Sequence, residues 1–139
     1  MSKKILLFSG DPNSINVEII FKCWKKLNSK TKKNLYILSN YKLFKDQLNK
    51  LNYLTKIIKV TDLNDKIKSD KIKIINIDLK YKNPFKVSQK DNSEFLKKSL
   101  NFSHKILSEA KIAGLINCPI NKNLLGKKYQ GLTEFFASK

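Results

Sequence analysis

The sequence contains no arginine: all 29 of its basic residues are lysine, and 11 acidic residues leave a formal net charge of +18 over 139 residues. A basic surface attracts nucleic-acid phosphates, but recognition of bases and phosphates usually relies on the planar guanidinium group of arginine. The lysines are also spread through every predicted element instead of forming one stripe. We interpret them as solvated faces, typical of an AT-rich genome, and expect no nucleic-acid partner.

Histidine, cysteine and long apolar runs are scarce as well. Cys23 and Cys118 lack the spacing of metal or redox motifs, which predicts two reduced thiols. The single histidine, His104, falls within a predicted helix, so we expect it at the surface or its boundary and expect no metal site in this chain. No run approaches the ~18 apolar residues of a membrane span, and residues 5–8 are too short for a signal peptide. These absences predict a cytoplasmic protein without membrane contact.

What is present is an alternation of strand and helix patterns in a chain long enough for one domain with a core. Strands are predicted over residues 5–8, 34–38, 57–60, 72–79 and 114–116, and helices over about 15–27, 41–51 and 92–110. Strands that alternate with helices favour an α/β fold, with a mostly parallel sheet covered by helices on both faces.

Apolar spacing predicts the buried side of each helix. The first helix is expected to bury Ile15, Ile19, Ile20, Cys23, Trp24 and Leu27; the second Phe44, Leu48 and Leu51; and the third Phe95, Leu96, Leu100, Ser103, Ile106, Leu107 and Ala110.

The loop S-G-D-P-N-S at residues 9–14 joins the first strand to the first helix. Gly10 permits a tight backbone, Pro12 favours a turn, and Asn13 or Ser14 is placed to cap the helix. The sequence is neither a GxGxxG fingerprint nor a P-loop. An ordinary turn and an anion site at the helix N-terminus are both compatible with it.

The segment N-C-P-I-N-K at residues 117–122 follows the last strand. Pro119 ends the strand, and Asn121 and Lys122 then stand at its carboxyl end, where α/β proteins bind ligands. An amide and an ammonium group suit a phosphorylated or carboxylate substrate, although the start of a helix explains the same residues equally well. The segment G-L-T-E-F-F at residues 131–136 is expected in the same region.

These segments resemble, in order and spacing, the motifs of the 4-hydroxythreonine-4-phosphate dehydrogenase family. That family has G-D/E-P-A-G-I-G-P-E where this chain has G-D-P followed by Glu18, then T-G-P-x-N-K and F-x-G-H-T-E-F. The resemblance spans the whole chain and covers the N-terminal portion of a family member. It implies that residues 1–139 are a single α/β segment of a two-lobed, isocitrate-dehydrogenase-like fold, and an incomplete one.

The resemblance also implies a function in pyridoxal phosphate biosynthesis. Family members are homodimers that use NAD to oxidise, and then decarboxylate, a phosphorylated hydroxy amino acid. They hold a divalent metal with three histidines, which are not present in this chain, and bind NAD largely through later residues. We therefore expect the chain to be inactive alone and to need a missing C-terminal half. The alternative is a degenerate, non-catalytic binding domain of the same fold.

Four residues carry over to the family's substrate site. Thr133 matches the family threonine, Asn121 and Lys122 match the second motif, and Leu132 stands where the family has histidine. Leucine has no polar atom to offer, so one substrate contact worth ~2–5 kcal/mol is expected to be lost. The opening loop departs too, since Asn13, Ser14, Asn16 and Val17 replace small residues, glycines and a proline.

Overall fold

The structure of the chain is a computed structural model that describes residues 3–63, 71–109, 111–129 and 131–139. A five-stranded sheet forms its centre. The strands are β1 (Ile5–Phe8), β2 (Leu35–Ser39), β3 (Ile57–Val60), β4 (Ile72–Asn76) and β5 (Gly114–Asn117). The helices are α1 (Asn16–Lys26), α2 (Ser29–Asn34), α3 (Tyr41–Lys50), α4 (Gln89–Ser108) and α5 (Leu132–Ala137), with a 3-10 helix at Lys122–Leu125. Within these ranges, no helix has both the length and the apolar character needed to cross a membrane.

The strand order is β3-β4-β2-β1-β5, and every pairing between neighbours is parallel. Ile5 of β1 lies opposite Leu35 of β2 on one side and Gly114 of β5 on the other. The predicted α/β fold with a mostly parallel sheet is therefore confirmed. From β1 the chain continues to β2 on one side of β1, whereas β5 pairs with β1 on the other side. The carboxyl ends of β1 and β5 therefore flank a topological switch point, where such folds bind ligands.

Helices cover both faces of this sheet, as predicted. On one face, α1 and α3 enclose a core that includes Val17, Trp24 and Phe44; on the other, α4 and α5 enclose one that includes Phe95, Leu100 and Phe135. The interior strand β2 is consequently buried at all five positions, the arrangement expected of a parallel strand covered on both faces.

The predicted buried side of α1 is partly wrong. Ile15 is 66% exposed, Ile19 is 41% exposed and Cys23 is exposed. The helix instead packs through Asn16, Val17, Ile20, Phe21 and Trp24. Because α1 packs against α3, Phe21 is buried in the shared core, and the side of the helix that carries Ile15 and Ile19 is left exposed.

The predicted stripe of α4 is confirmed at five positions and wrong at one. Phe95, Leu96, Leu100, Ser103 and Ile106 are buried, whereas Leu107 is 39% exposed. Ala110 lies outside the described residues. The helix begins three residues earlier than predicted because the Ser88 hydroxyl accepts a hydrogen bond from the backbone N–H of Asp91 at 3.1 Å.

Smaller differences have local causes. The all-polar helix α2 was not predicted because S-K-T-K-K-N has no apolar period; it is capped by Asn28, whose side chain accepts from Thr31 N at 2.9 Å. The strand β4 ends at Asn76 instead of residue 79, and the Asn76 side chain accepts from Tyr41 N at 2.9 Å. Helix α5, which no helical pattern predicted, begins within the G-L-T-E-F-F segment, directly after Gly131.

Lys73 is the exception to the interpretation of the lysines as solvated. It lies within β4, is 1% exposed, and donates a hydrogen bond to the carbonyl oxygen of Lys33. Its ammonium group also lies 4.2 Å from the centroid of the Tyr36 ring. Burial and the nearby charge of Lys4 lower the pKa of Lys73 to about 8. Because β4 is an interior strand covered on both faces, the side chain of Lys73 is buried whichever face it lies on.

Candidate functional site

The loops that follow β1 and β5 are joined directly at the switch point. The carbonyl oxygen of Pro119 accepts hydrogen bonds from the backbone N–H of Asp11 at 3.1 Å and from Nδ2 of Asn16 at 2.9 Å. Gly10 approaches so closely that a Cβ atom there would lie 2.5 Å from the same oxygen, and its φ is +74°. The two loops therefore form one rigid unit that only glycine at position 10 permits.

The polar groups of the opening loop are engaged within the protein. Asn13 forms a two-point contact with Val87, donating to its carbonyl oxygen at 2.9 Å and accepting from its N–H at 2.7 Å. One carboxylate oxygen of Asp11 accepts from Asn92 Nδ2 at 2.9 Å. Neither predicted cap of α1 is confirmed, because the N-cap position is Ile15 and it makes no side-chain cap hydrogen bond. Ser14 accepts from Asn16 N at 3.2 Å, and Asn13 contacts Val87. The described contacts favour the structural interpretation of this loop over an anion site.

Gln47 of α3 also binds the opening loop by a hydrogen bond. Its buried side-chain amide donates to the carbonyl oxygens of Pro12 at 2.8 Å and Pro84 at 2.6 Å. Both acceptors lie in turns that the sheet does not pair, so the glutamine satisfies carbonyl groups that would otherwise be buried without partners. The opening loop is thereby fixed to α3 and α4 as well as to the loop after β5.

A cleft of about 600 Å³ opens between the loop after β5 and the start of α5. Its lining consists of Asn117, Cys118, Pro119, Ile120, Lys122, Gly131, Leu132, Thr133 and Glu134. The structure thus brings together three of the four residues predicted for the substrate site, namely Lys122, Leu132 and Thr133. The predicted meeting of the two sequence segments is confirmed.

The fourth predicted residue, Asn121, has a structural role. Its side-chain oxygen accepts a hydrogen bond from Asn123 N at 3.1 Å and caps the 3-10 helix Lys122–Leu125. The cleft lining among the described residues does not include it. The start of a helix, the alternative that the sequence left open, accounts for the side-chain oxygen of Asn121, while Lys122 one residue later lines the cleft. The role of Asn121 in substrate binding stays a prediction.

Aromatic packing holds α5 against the rest of the protein. Phe135 is buried, with its ring edge-to-face with Tyr129 at 5.2 Å and with Phe136 at 5.8 Å. Leu132, one turn earlier, is partly buried against the same core. With these apolar side chains directed inward, Thr133 is exposed at the cleft.

His104 lies where it was expected, at the boundary of the protein. It is partly exposed on α4, and its ring stacks on Phe136 with centroids 6.3 Å apart. This contact gives the histidine a packing role behind α5. Within the described residues, no group of three or more histidine, cysteine or acidic side chains is arranged to hold a metal ion. The residues present do not fit the metal that the resemblance implies.

Cys118 is a cleft residue that the sequence reasoning placed only as a thiol after a strand. Burial raises the pKa of its thiol to about 11, and the proximity of Cys23 acts in the same direction. Asn117, Ile120 and Glu134 also line the cleft without having been singled out. The sequence signal that could have identified them is their position within the two motif segments, residues 117–122 and 131–136. A thiol with so high a pKa is a poor nucleophile at neutral pH, so the thiolate chemistry of Cys118 is not a candidate activity.

Comparison with solved structures identifies proteins of the same architecture. The chain matches a 4-hydroxythreonine-4-phosphate dehydrogenase from Burkholderia phymatum with a TM-score of 0.85 and 19% sequence identity, over 99% of its own length. This chain shares the fold of that dehydrogenase. A 4-hydroxythreonine-4-phosphate dehydrogenase from Klebsiella pneumoniae matches with a TM-score of 0.81 and 22% identity, again over 99% of this chain. The fold implied by the sequence motifs is therefore confirmed.

The match covers only part of those dehydrogenases. The chain spans 43% of the Burkholderia protein and 44% of the Klebsiella protein, less than half of either. No protein-family model matches the sequence, and no curated protein matches it in a sequence search. At these identities the likeness shows the fold, so the ligand and the chemistry of the cleft are argued from its residues.

Proposed function

We propose that this chain binds a phosphorylated hydroxy amino acid in the cleft between the loop after β5 and α5, as the substrate-binding part of a 4-hydroxythreonine-4-phosphate dehydrogenase-like protein. One observation carries the proposal. Lys122 and Thr133 line one cleft beside the switch point of a fold shared with solved dehydrogenases named for such a substrate.

Each polar group of the cleft has a role in this proposal. The ammonium group of Lys122 binds the phosphate, because a flexible lysine supplies a point charge with three donors. The hydroxyl of Thr133 and the amide of Asn117 hydrogen-bond the polar groups of the amino acid. The net charge of +18 raises the local concentration of anions and speeds their capture at low salt.

Oxidation and decarboxylation need groups that the described residues do not supply. We propose that NAD and a divalent metal are bound only when further polypeptide joins this chain. That polypeptide is a C-terminal half or, as in the homodimers that the resemblance implies, a second subunit. This chain's own residues contribute binding and orientation.

Leu132 favours a second candidate, a binding domain without catalysis. Its side chain is partly buried against the core and presents only apolar atoms to the cleft at the position of the family histidine. A ligand group that meets Leu132 therefore finds no hydrogen-bond partner there. The two candidates share the bound ligand and differ in turnover.

Isothermal titration calorimetry with 4-hydroxythreonine-4-phosphate (4-phosphohydroxythreonine) tests the binding proposal. Lys122→Gln is expected to weaken binding by about tenfold, because one charge-assisted contact is worth about 1.5 kcal/mol or more. Thr133→Val is expected to weaken it by a few-fold. Lys127→Gln is the matched control, since Lys127 is an exposed lysine in the same segment outside the cleft lining.

Two results would overturn the proposal: no binding at millimolar ligand, or an equal loss in Lys122→Gln and Lys127→Gln. A separate assay addresses catalysis. NADH formed by the chain alone from 4-phosphohydroxythreonine in the presence of a divalent metal would refute the view that catalysis needs further polypeptide.

A further inference from the structure

The five strands of the sheet begin in one row. Their first residues are Ile5, Leu35, Ile57, Ile72 and Gly114. The start of β1 lies opposite the starts of β2 and β5, and the start of β3 lies opposite that of β4. Tyr36 of β2 pairs with Lys73 of β4, so the residues before them, which begin these strands, also lie opposite each other. The amino ends of all five strands therefore meet at one end of the protein, opposite the cleft.

A lysine lies within three residues before the start of every strand. These lysines are Lys4, Lys33, Lys56, Lys71 and Lys111. Backbone hydrogen bonds hold members of this set at the row of strand starts. The N–H of Ala113 donates to the carbonyl oxygen of Lys4 at 2.8 Å, and the N–H of Ile72 donates to that of Lys56 at 2.9 Å. Lysines that are far apart in the sequence thus become neighbours.

Helices add lysines at the same end, because each helix after a strand runs back toward the amino ends of the sheet. The lysines in their last turns are Lys25 and Lys26 of α1, Lys32 and Lys33 of α2, Lys50 of α3 and Lys105 of α4. The helix dipole favours cations at these positions, but it does not account for Lys4 and Lys56, which belong to no helix. We call the surface formed by both sets of lysines the amino-end face.

The described acidic residues are concentrated elsewhere. Carboxylates that follow strands or lie in first turns of helices are Asp11, Glu18, Asp62, Asp78, Asp91 and Glu134. Among the described residues, Glu109 is the acidic residue at the same end as the lysines, and it pairs with Lys111 at 2.7 Å. Asp65 and Asp70 lie outside the described residues. The fold thus separates charges that the sequence interleaves, and the amino-end face is strongly positive.

The amino-end face presents charge with little apolar or aromatic surface. Helix α2 has no apolar residue. Lysines cover the aromatic rings at this end: the Lys32 ammonium group lies 5.3 Å from the ring centroid of Trp24, and that of Lys4 lies 5.5 Å from Tyr36. Every aromatic side chain in the described ranges is buried or half-buried. Single-stranded nucleic acid needs aromatic rings for stacking, and a membrane-surface helix needs an apolar side. Neither fits as well as a phosphate backbone.

We propose that the amino-end face binds the phosphate backbone of double-stranded nucleic acid without reading its sequence. The row of strands is ~20 Å long, a length over which one strand of a duplex presents about six phosphates. Lysine binds phosphate as a point charge, so the missing arginine argues only against recognition of bases. The spread of lysines along the sequence predicted no nucleic-acid partner, but the parallel sheet brings them together at one end.

Fluorescence anisotropy of a labelled DNA duplex of about 20 base pairs tests this contact at ~50 mM salt, where the expected Kd is micromolar and rises steeply with salt. The triple variant Lys26→Gln/Lys33→Gln/Lys56→Gln removes three exposed lysines of the amino-end face. It is expected to weaken binding by about tenfold or more. The slope of log K against log salt should become shallower by about 3, since each phosphate contact contributes about 1.

The matched control is the triple variant Lys80→Gln/Lys82→Gln/Lys86→Gln. These exposed lysines follow β4 at the carboxyl end of the sheet, so the control removes the same charge from another place. Its affinity should fall by less than about threefold, with the slope unchanged. Equal losses in the two triple variants would overturn the proposal, as would the absence of binding at ~50 mM salt and about 50 μM protein.

Lysine acetylation of the wild-type chain, followed by mass spectrometry of peptides, needs no variant. The duplex should slow modification of Lys26, Lys33 and Lys56 by about threefold or more relative to Lys80 and Lys86. Uniform protection of all these lysines would refute a defined face.

Vesicles of phosphatidylserine and phosphatidylcholine test the rival anionic surface. Leu54 is 93% exposed between α3 and β3, close in sequence to Lys50 and Lys56. Tighter binding to vesicles than to the duplex, weakened by Leu54→Ser, would overturn the proposal in favour of a membrane surface. Addition of about 1 mM 4-phosphohydroxythreonine should leave duplex binding unchanged, because the cleft lies at the other end of the sheet. Displacement of the duplex would place the contact at the cleft and overturn the proposal, so the two proposals fail separately.

Discussion

A Cβ atom at Gly10 would lie 2.5 Å from the carbonyl oxygen of Pro119, although the two residues are more than a hundred positions apart in the sequence. The contact joins the loop after β1 to the loop after β5, and thereby fixes one wall of the candidate cleft to the centre of the sheet.

Gly10→Ala is expected to destabilise the protein by about 2–4 kcal/mol, from left-handed strain of about 1 kcal/mol plus the clash with Pro119. Urea unfolding measures the change. Gly126→Ala is the matched control: Gly126 also has a positive φ, +87°, but a Cβ atom there meets no described atom within 4 Å. The control should lose only about 1 kcal/mol. Equal losses would show that the close approach to Pro119 has no energetic weight.

Lys73→Met is expected to stabilise the protein at pH 7 by about 1–2 kcal/mol. A pKa lowered to about 8 from 10.5 means that burial disfavours the charged form. Below pH 8 this penalty is complete; between pH 8 and 10.5 only the unfolded state keeps the proton, so wild-type stability gains from this group as pH rises. The advantage of the variant should therefore shrink toward pH 10.5.

Unfolding of both proteins from pH 7 to 10.5 measures this difference. Lys59→Met, at an exposed position of β3, should show no such convergence. A constant advantage of Lys73→Met across the whole range would contradict the lowered pKa. The variant loses the contacts of Lys73 with Tyr36 and Lys33, which is why the expected gain is smaller than the full penalty.

The two thiols should react at very different rates. At pH 8 iodoacetamide is expected to modify Cys23 first, because Cys23 is exposed, whereas burial raises the pKa of Cys118 to about 11 and leaves about one thiolate per thousand. Mass spectrometry of peptides over time locates each adduct. In Cys23→Ser, modification should be at least about tenfold slower than in the wild type. Rapid labelling of that variant would contradict the assigned burial.

Leu132→His is expected to tighten binding of 4-phosphohydroxythreonine by about tenfold, since it restores a polar partner where the cleft presents an apolar side chain. It should also lower stability by about 1 kcal/mol, because Leu132 packs against the core. Calorimetric titration gives the affinity. Leu132→Ala separates the two effects, as it removes the packing without adding a polar group. Equal affinities of the two variants would argue against a polar contact at this position.

If Leu132→His also supports NADH formation in a complex with further polypeptide, the dehydrogenase-like candidate is favoured over the non-catalytic binding domain. Tighter binding without turnover in that complex would favour the binding domain. Binding and turnover thus report separately on the two candidates.

The sequence by itself determined the alternation of strands and helices, and with it the parallel sheet. Short apolar runs such as residues 5–8 and the period of α4 are local signals that tertiary packing reinforces. The motifs at residues 117–122 and 131–136 also located the cleft, because the end of a parallel strand fixes where the following loop lies. The strand-end argument pointed to Lys122 and the family resemblance to Thr133, and both residues line the cleft.

Only the tertiary structure decided how each element is turned and what each polar side chain contacts. The sequence could not show that Ile15 and Ile19 are exposed, since the buried side of α1 depends on its packing against α3. Nor could it assign Asn121 to a helix cap, Asn13 to Val87 or Lys73 to the interior. Hydrogen bonds and burial between distant segments depend on which strands become neighbours, and local periodicity carries no information about that order.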